Sequence, residues 1–357
     1  MVQDNSFLIL LPIVSFVLNL IITPILIHFA KKKGIHDIPN DRKIHTMPTP
    51  NFGGIGIFLS TGLTLFIFVF FYSITLKVLL IIAGFVLIHI LGILDDRHDI
   101  RPRYKLLIQV LSASLIAASG LLIKIIEIPF LGFSLNLGFF SYILTVLWII
   151  AVSNAINLID GIDGQAGGIS FIALLSIGTS FLLSGVIFPA SIAFILAGTV
   201  CAFLIFNFPP AKIFMGDGGS LFLGFAIAVI PLLSGKGSIL PLVGPLTILM
   251  VPFLDVFASI IRRKRKGLHF FTPDKEHTHH KLLDFGFTNR QILSLVYSLT
   301  FLFAIISVYW TIEMNLLSFI MIISAWTSGV LIFLILDKKY ENKIRSKRRL
   351  ENIRLIS

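Results

Sequence analysis

A chain of 357 residues that is 56% hydrophobic and only 13% charged is not an ordinary soluble enzyme, in which about a quarter of the residues carry charge. Its single cysteine, Cys201, excludes an intrachain disulfide and a cysteine-built zinc cluster, and reads as a small core residue in the run AGTVCAFLIF. The net charge of +11 is concentrated at the borders of apolar runs, so a lipid bilayer is the expected partner and nucleic acid is not.

Windows of roughly 20 apolar residues mark membrane spans. Eleven such runs lie near 6–29, 53–72, 76–94, 106–123, 139–156, 168–185, 189–206, 220–234, 239–261, 291–311 and 316–336. The expected architecture is an all-α polytopic membrane protein, with one transmembrane domain over 1–336 and a basic tail over 337–357. The first run is preceded by Asp4 and followed by Lys31, Lys32 and Lys33, the reverse of a cleavable signal peptide. It reads as a retained span with its amino end outside. Eleven crossings then put the carboxyl terminus in the cytoplasm. The charge pattern agrees: segments 30–52, 95–105, 207–219, 262–290 and 337–357 hold 26 of the 29 Lys and Arg residues, leaving Lys77, Lys124 and Lys236 outside.

Between the fourth and fifth runs, IKIIEIPFLGFSLNLGF alternates weakly around Pro129 and Gly132 and predicts a short external β-hairpin near 124–138. The tail, DKKYENKIRSKRRLENIRLIS, is a basic helix candidate whose plain role is topology and attraction to anionic lipid. No internal repeat is visible, which argues against a cation-coupled transporter built from inverted halves.

Five aspartates stand out at the ends of apolar runs, in the settings LGILDDR, NAINLIDGIDG and FMGDGGS. A carboxylate at a membrane border is costly to desolvate unless a cation or polar ligand offsets it. Asp95 and Asp96 precede Arg97, Arg101, Arg103 and Lys105. They read either as a solvated helix end or as an anionic pair at the mouth of a basic groove suited to a metal–phosphate complex. Asn154 and Asn157 share a helical face that Asp160 continues, with Asp163 beyond Gly161. Such a stretch can hold Mg²⁺ or read a polar ring. Asp217 stands between glycines before the eighth run and is the first choice for a metal ligand. The glycines are expected to bring backbone amides close to a phosphate, with a helix starting near Ser220 directing its positive end at a diphosphate. Asn207, Pro209 and Pro210 form a shaped loop, with Phe214 placed to stack on a base.

Asp255 lies seven and eight residues before Arg262 and Arg263, a spacing that predicts a structural ion pair. In the loop that follows, His277, His279 and His280 lack the spacing of a zinc site. With Arg262 and Arg263 they read as charge-assisted donors to diphosphate oxygens, or else as part of a solvated basic loop.

The stretches DIPNDRKIH, Pro50 with Gly53–Gly54, LDDR, NAINLIDGIDG, FMGDGGS, TPDKEHTHH and GFTNRQ, in this order over roughly 37–292, resemble the polyprenyl-phosphate N-acetylhexosamine-1-phosphate transferases, the family of MraY and the WecA/TagO initiators. The resemblance implies transfer of a sugar 1-phosphate from a UDP-N-acetylhexosamine to a polyprenyl phosphate at the cytoplasmic face of a bacterial inner membrane. It implies Mg²⁺, with Mn²⁺ as the alternative, on Asp217 and Asn157. Asp160 and Asp163 then lie on the nucleotide side with Asn207 and Phe214, while Asp95, Asp96 and Lys105 lie where the lipid phosphate arrives. A homodimer is compatible with it. The H-x-HH pattern resembles the WecA/TagO branch, so UDP-N-acetylglucosamine is expected over UDP-MurNAc-pentapeptide. Asp95 as a general base is a weaker expectation than direct displacement.

Overall fold

The computed structural model describes residues 6–34, 48–69, 75–128, 132–265, 267 and 277–356. In chain order these form α1 (Ser6–Lys33), α2 (Gly53–Val69), α3 (Leu76–His98), α4 (Pro102–Ala118), β1 (Ile125–Ile128), β2 (Phe133–Asn136), α5 (Phe140–Leu158), α6 (Gln165–Leu183), α7 (Ile187–Asn207) and α8 (Gly216–Val229). A 3-10 turn (Ile230–Ser234) leads to α9 (Leu240–Ile248), α10 (Met250–Arg265), α11 (Thr278–Asp284), α12 (Asn289–Glu313) and α13 (Leu316–Ile356). The protein is an all-α polytopic membrane protein. DIPNDRKIH, the TPDKE half of the histidine motif, and Pro129 fall outside the described residues.

Every apolar run of the sequence is helical. Among the described residues, eight helices are long and apolar enough to cross a membrane, or nine when the bent pair α9 and α10 counts as one. The shorter α2 and α4 have 17 residues each, about 25 Å of helix against a hydrocarbon core of about 30 Å. Large apolar side chains such as Ile9, Phe66, Leu76 and Phe139 point away from the bundle, as lipid-facing side chains do.

α8 is the hub. Residues 218–229 are all buried, and α3, α5 and α2 pack on it. Glycine makes this approach close enough. A Cβ on Gly92 of α3 would lie 2.5 Å from the Asp217 carbonyl oxygen, and one on Gly54 of α2 would lie 2.7 Å from Gly219 Cα. Polar side chains add bonds that hydrocarbon cannot supply. The Ser153 hydroxyl donates to the Leu221 carbonyl at 2.9 Å, Trp148 Nε1 donates to the Ala228 carbonyl at 3.0 Å, and His89 Nδ1 lies 2.9 Å from the Gly218 carbonyl. A second seam joins α1 to α7 through Asn19 Nδ2 and the Thr199 carbonyl (2.8 Å) and through the Ser15 hydroxyl and the Ile195 carbonyl (2.7 Å).

Gly92→Ala is therefore expected to lower stability by about 1–3 kcal/mol, the usual cost of overpacking. Gly62→Ala, whose Cβ would meet nothing within 4 Å, should be neutral or mildly stabilising. Thermal denaturation of the two purified variants checks the contrast.

The hairpin expected near 124–138 is present, antiparallel, with Ile125 opposite Asn136 and Ile128 opposite Phe133. It is stitched to the segment before α9, since Ile125 N donates to the Gly237 carbonyl (3.0 Å) and Ile239 N to the Ile125 carbonyl (3.0 Å). It connects the carboxyl end of α4 to the amino end of α5, so it lies at the opposite end of the bundle from the aspartates.

Two features depart from the sequence reading. The ninth run is not one straight span: α9 and α10 meet at Leu249 with a bend of 77°. Pro252 has no N–H to offer the Ile248 carbonyl, so the hydrogen-bond ladder is broken where the chain turns. The last run and the basic tail are one continuous helix of 41 residues rather than a span followed by a separate segment.

Candidate active site

The carboxyl ends of α3, α5 and α7 and the amino ends of α2, α4, α6 and α8 meet at one end of the bundle, and the acidic motifs are the residues at those ends. α8 starts at Gly216, earlier than the expected Ser220. Its first amides are already taken. Asp96 accepts from Asp217 N (2.8 Å) and Gly218 N (3.1 Å), and from the Asn51 amide (3.0 Å). The expectation that this helix end faces a diphosphate is corrected: a carboxylate of the chain itself sits on it, in the position that the helix dipole favours for an anion. Gly216 has φ +70°, and a Cβ there would lie 2.5 Å from Asn51 Oδ1 and 2.6 Å from Asp96 Oδ2. These glycines serve close approach between protein groups, not a phosphate cradle.

Asp95 is equally committed. One oxygen accepts from Ile100 N at 2.8 Å, fixing the reversal between α3 and α4, and the other pairs with the Lys105 ammonium. Lys105 Nζ also lies 3.0 Å from Asp217 Oδ2. Asn157 Nδ2 donates to Asp217 Oδ1 (2.8 Å) and to the Ser220 hydroxyl (2.9 Å). Asp217 is thus the junction of the cluster, reached by Lys105 from α4 and by Asn157 from α5. Asp95, Asp96, Lys105, Asn157 and Asp217 thus gather in one cluster at this end of the bundle.

Asp160 differs from the others. No hydrogen bond to its carboxylate is found among the described residues, and burial together with the charges of Asp217, Asp96 and Asp163 pushes its pKa up to about 8. A carboxylate gathered among others without a partner of its own is one that a cation would relieve. The available donors, Asp217, Asp160 and the side-chain Oδ1 of Asn157, are hard oxygens of the kind Mg²⁺ or Mn²⁺ takes. Among the described residues no three acidic, histidine or cysteine side chains form a metal cage by themselves.

Two of the expected substrate contacts are spent on architecture. Asn154 is closed in a reciprocal amide pair with Gln109, at 2.8 and 3.1 Å, which locks α5 to α4. Asn207 accepts from Gly164 N (2.9 Å) and donates to the Ile213 carbonyl (2.9 Å), using both ends of its amide. Asp163 accepts from Ala211 N at 3.0 Å. Together they tie the DGIDG loop to the FPPAK loop. α12 clamps the same loops: Tyr297 donates to the Gly164 carbonyl (2.6 Å) and Arg290 Nη2 to the Pro209 carbonyl (3.3 Å). The GFTNRQ motif sets this helix, because Thr288 and Gln291 form its capping box. Phe214 is half-buried and anchored by its backbone, which donates to the Pro50 carbonyl and accepts from Gly53 N.

The histidines begin α11. Asp255 accepts from Thr278 N at 3.0 Å and from its hydroxyl, so it anchors the first turn of this helix. The expected ion pair of Asp255 with Arg262 or Arg263 is not found at contact distance among the described residues, and Arg262 reaches Asp337 at 3.9 Å. His279 faces the DGIDG loop, where a Cβ on Gly161 would lie 2.5 Å from its Cε1. His277 and His280 flank it, with ring centroids 5.8 and 4.4 Å away. Burial and these two neighbours push its pKa down to about 3. Both causes disfavour the charged imidazolium in the protein without its substrate. Asn51, Gln109 and Tyr297 were not legible as site residues. For Gln109 a signal existed: it lies one turn after Lys105 on an otherwise apolar face.

Residues 78–235 match the model of glycosyl transferase family 4. The chain is 40% identical over 302 residues, 82% of each protein, to a probable undecaprenyl-phosphate N-acetylglucosaminyl 1-phosphate transferase of Bacillus subtilis. It is 34% identical over 292 residues, 78% of each, to the undecaprenyl-phosphate α-N-acetylglucosaminyl 1-phosphate transferase of Yersinia pestis. A decaprenyl-phosphate N-acetylglucosaminephosphotransferase of Mycobacterium tuberculosis is 32% identical over 299 residues, 75% of this chain and 74% of the relative.

Proposed function

The chain belongs to glycosyl transferase family 4, and on that premise we propose that it moves N-acetylglucosamine 1-phosphate from UDP-N-acetylglucosamine onto a polyprenyl phosphate, releasing UMP. A lipid phosphate oxygen attacks the β-phosphorus of the donor, a new P–O bond forms, and the bond to the UMP oxygen breaks. The observation that carries this reading is the convergence of Lys105 and Asn157 on Asp217 beside Asp160, whose carboxylate has no hydrogen bond among the described residues, at the border of the apolar bundle.

The residues divide the work. Asp217, Asp160 and the side-chain Oδ1 of Asn157 would hold Mg²⁺, which when bound offsets the charge of the diphosphate. Lys105 supplies a fixed cation at the same place, held there by Asp95. Asp95 has both oxygens engaged, one of them on Lys105, so its first role is to position Lys105. No general base is required, because a phosphate monoester with a second pKa of about 6 is already largely dianionic at neutral pH. Asp96 fixes Asp217 through α8. The chemistry is then positioning and charge neutralisation followed by direct displacement. The charge asymmetry of the sequence supports a cytoplasmic position for this end, the side from which a nucleotide donor would come.

Purified protein is expected to turn over UDP-N-acetylglucosamine with a polyprenyl phosphate and to leave UDP-MurNAc-pentapeptide untouched. Turnover of the pentapeptide donor alone would reverse the substrate reading.

A further inference from the structure

The half of α13 beyond the apolar run carries contacts that the transfer chemistry does not use. Lys281 of α11 is 1% exposed, and its ammonium pairs with Asp337 of α13. It also lies 5.5 Å from the centre of the Phe333 ring and 5.8 Å from that of Tyr340. Arg262 at the end of α10 reaches the same Asp337 oxygen at 3.9 Å. The Tyr340 hydroxyl donates to Asp284 Oδ2 at 2.7 Å, and Lys343 donates to the Asp284 carbonyl. Residues 333, 337, 340 and 343 repeat at helical spacing, so one stripe of α13 makes all these contacts.

α11 has seven residues, too few to hold a helical shape unaided. Its first turn is fixed by Asp255 and its far end by α13. Between the two anchors His279 meets Gly161, next to Asp160. A buried ammonium is costly without a counter-charge in contact, and without Asp337 Lys281 keeps only the more distant charge of Asp255, so its hold on α13 is weakened.

We propose that residues 333–343 form a strap in which Asp337 is a positioning residue, holding α11 so that His279 supports the Asp160–Asp163 loop on the donor side. The assignment to the donor side rests on the function proposed above. The strap itself rests on the contacts alone.

The test is Asp337→Asn in the full-length purified protein, with Asp337→Glu and Tyr340→Phe alongside. Arg345→Ala is the control, an exposed residue whose pairing is within α13. For Asp337→Asn, KM for UDP-N-acetylglucosamine should rise roughly fivefold or more, with KM for polyprenyl phosphate and kcat within about twofold. Amide hydrogen exchange over 278–284 should quicken while that of α3 stays unchanged. Asp337→Glu should restore both, and Arg345→Ala should alter neither. A folded Asp337→Asn with unchanged donor KM, or with unchanged exchange in α11, overturns the strap. Should that variant fail to fold, Tyr340→Phe decides: faster exchange in α11 with a raised donor KM supports the strap, and no change in either overturns it. A wild-type protein inactive on every UDP-sugar would end the transfer reading, yet the exchange measurement would still judge the strap.

Discussion

Asp217→Asn should abolish transfer, by at least about a thousandfold, while the protein still folds. The carboxylate receives Lys105 at 3.0 Å on one oxygen and Asn157 at 2.8 Å on the other. An amide of the same shape loses the negative charge on which a cation and Lys105 both depend. It also leaves one nitrogen facing another, either Lys105 Nζ or Asn157 Nδ2, where neither can accept. The backbone N–H of residue 217 still donates to Asp96, so the start of α8 keeps its anchor and the helix packing is preserved. Turnover of labelled donor, with thermal denaturation in parallel, separates chemistry from folding. Residual activity above a few per cent in folded protein would remove Asp217 from the ligand role.

For Asp160→Asn the two readouts should move in opposite directions. The wild-type carboxyl, ordinarily near 3.8, is pushed up to about 8 by burial and by the charges of Asp217, Asp96 and Asp163. Between those values the folded protein retains a proton that the unfolded chain gives up. Stability from this group is therefore complete below about pH 4 and declines as pH rises towards 8. An asparagine cannot ionise, so in chelator the variant should melt higher than wild type at pH 8, with a flatter dependence on pH. Transfer should nonetheless fall by about a hundredfold or more, because the oxygen left for the cation is uncharged. Binding of Mg²⁺ by the wild type displaces the same proton, so its affinity should increase from pH 6.5 to 8. A variant less stable than wild type at pH 8 would show that Asp160 has a stabilising partner.

Much of the fold was legible because hydrocarbon imposes a simple rule on sequence: each long apolar run had to satisfy its backbone within itself, and each is helical, the ninth as the two helices α9 and α10. The bend at Leu249 was hidden in an unbroken apolar stretch, although Pro252 was its visible cause. In the site, residue type marked the right loops but did not say which polar group each side chain would spend itself on. Asn154 and Asn207 looked like ligands, yet Gln109 and the Gly164 and Ile213 backbones take them, because a buried amide needs partners on both its ends. Gly218 and Gly219 looked like a phosphate cradle, but the room they create is filled by Asp96 and α2. Thr278, the residue between His277 and His279, is the one that Asp255 holds, a contact that the histidine pattern conceals. The basic tail read as a lipid-facing element, whereas long-range partners such as Lys281 and Asp337, 56 residues apart, cannot be paired from spacing.

In the proposed reaction one carboxylate cluster at the membrane border directs a lipid phosphate to the β-phosphorus of a UDP-sugar. Donor labelled with ³²P at either the α or the β position tests it most directly, incubated with purified protein, polyprenyl phosphate and Mg²⁺, and in parallel with EDTA. The β label should appear in the lipid and the α label in UMP, and neither should move in EDTA. A lipid carrying the sugar without the β label, with UDP released, would contradict the account, as would full transfer without a divalent cation.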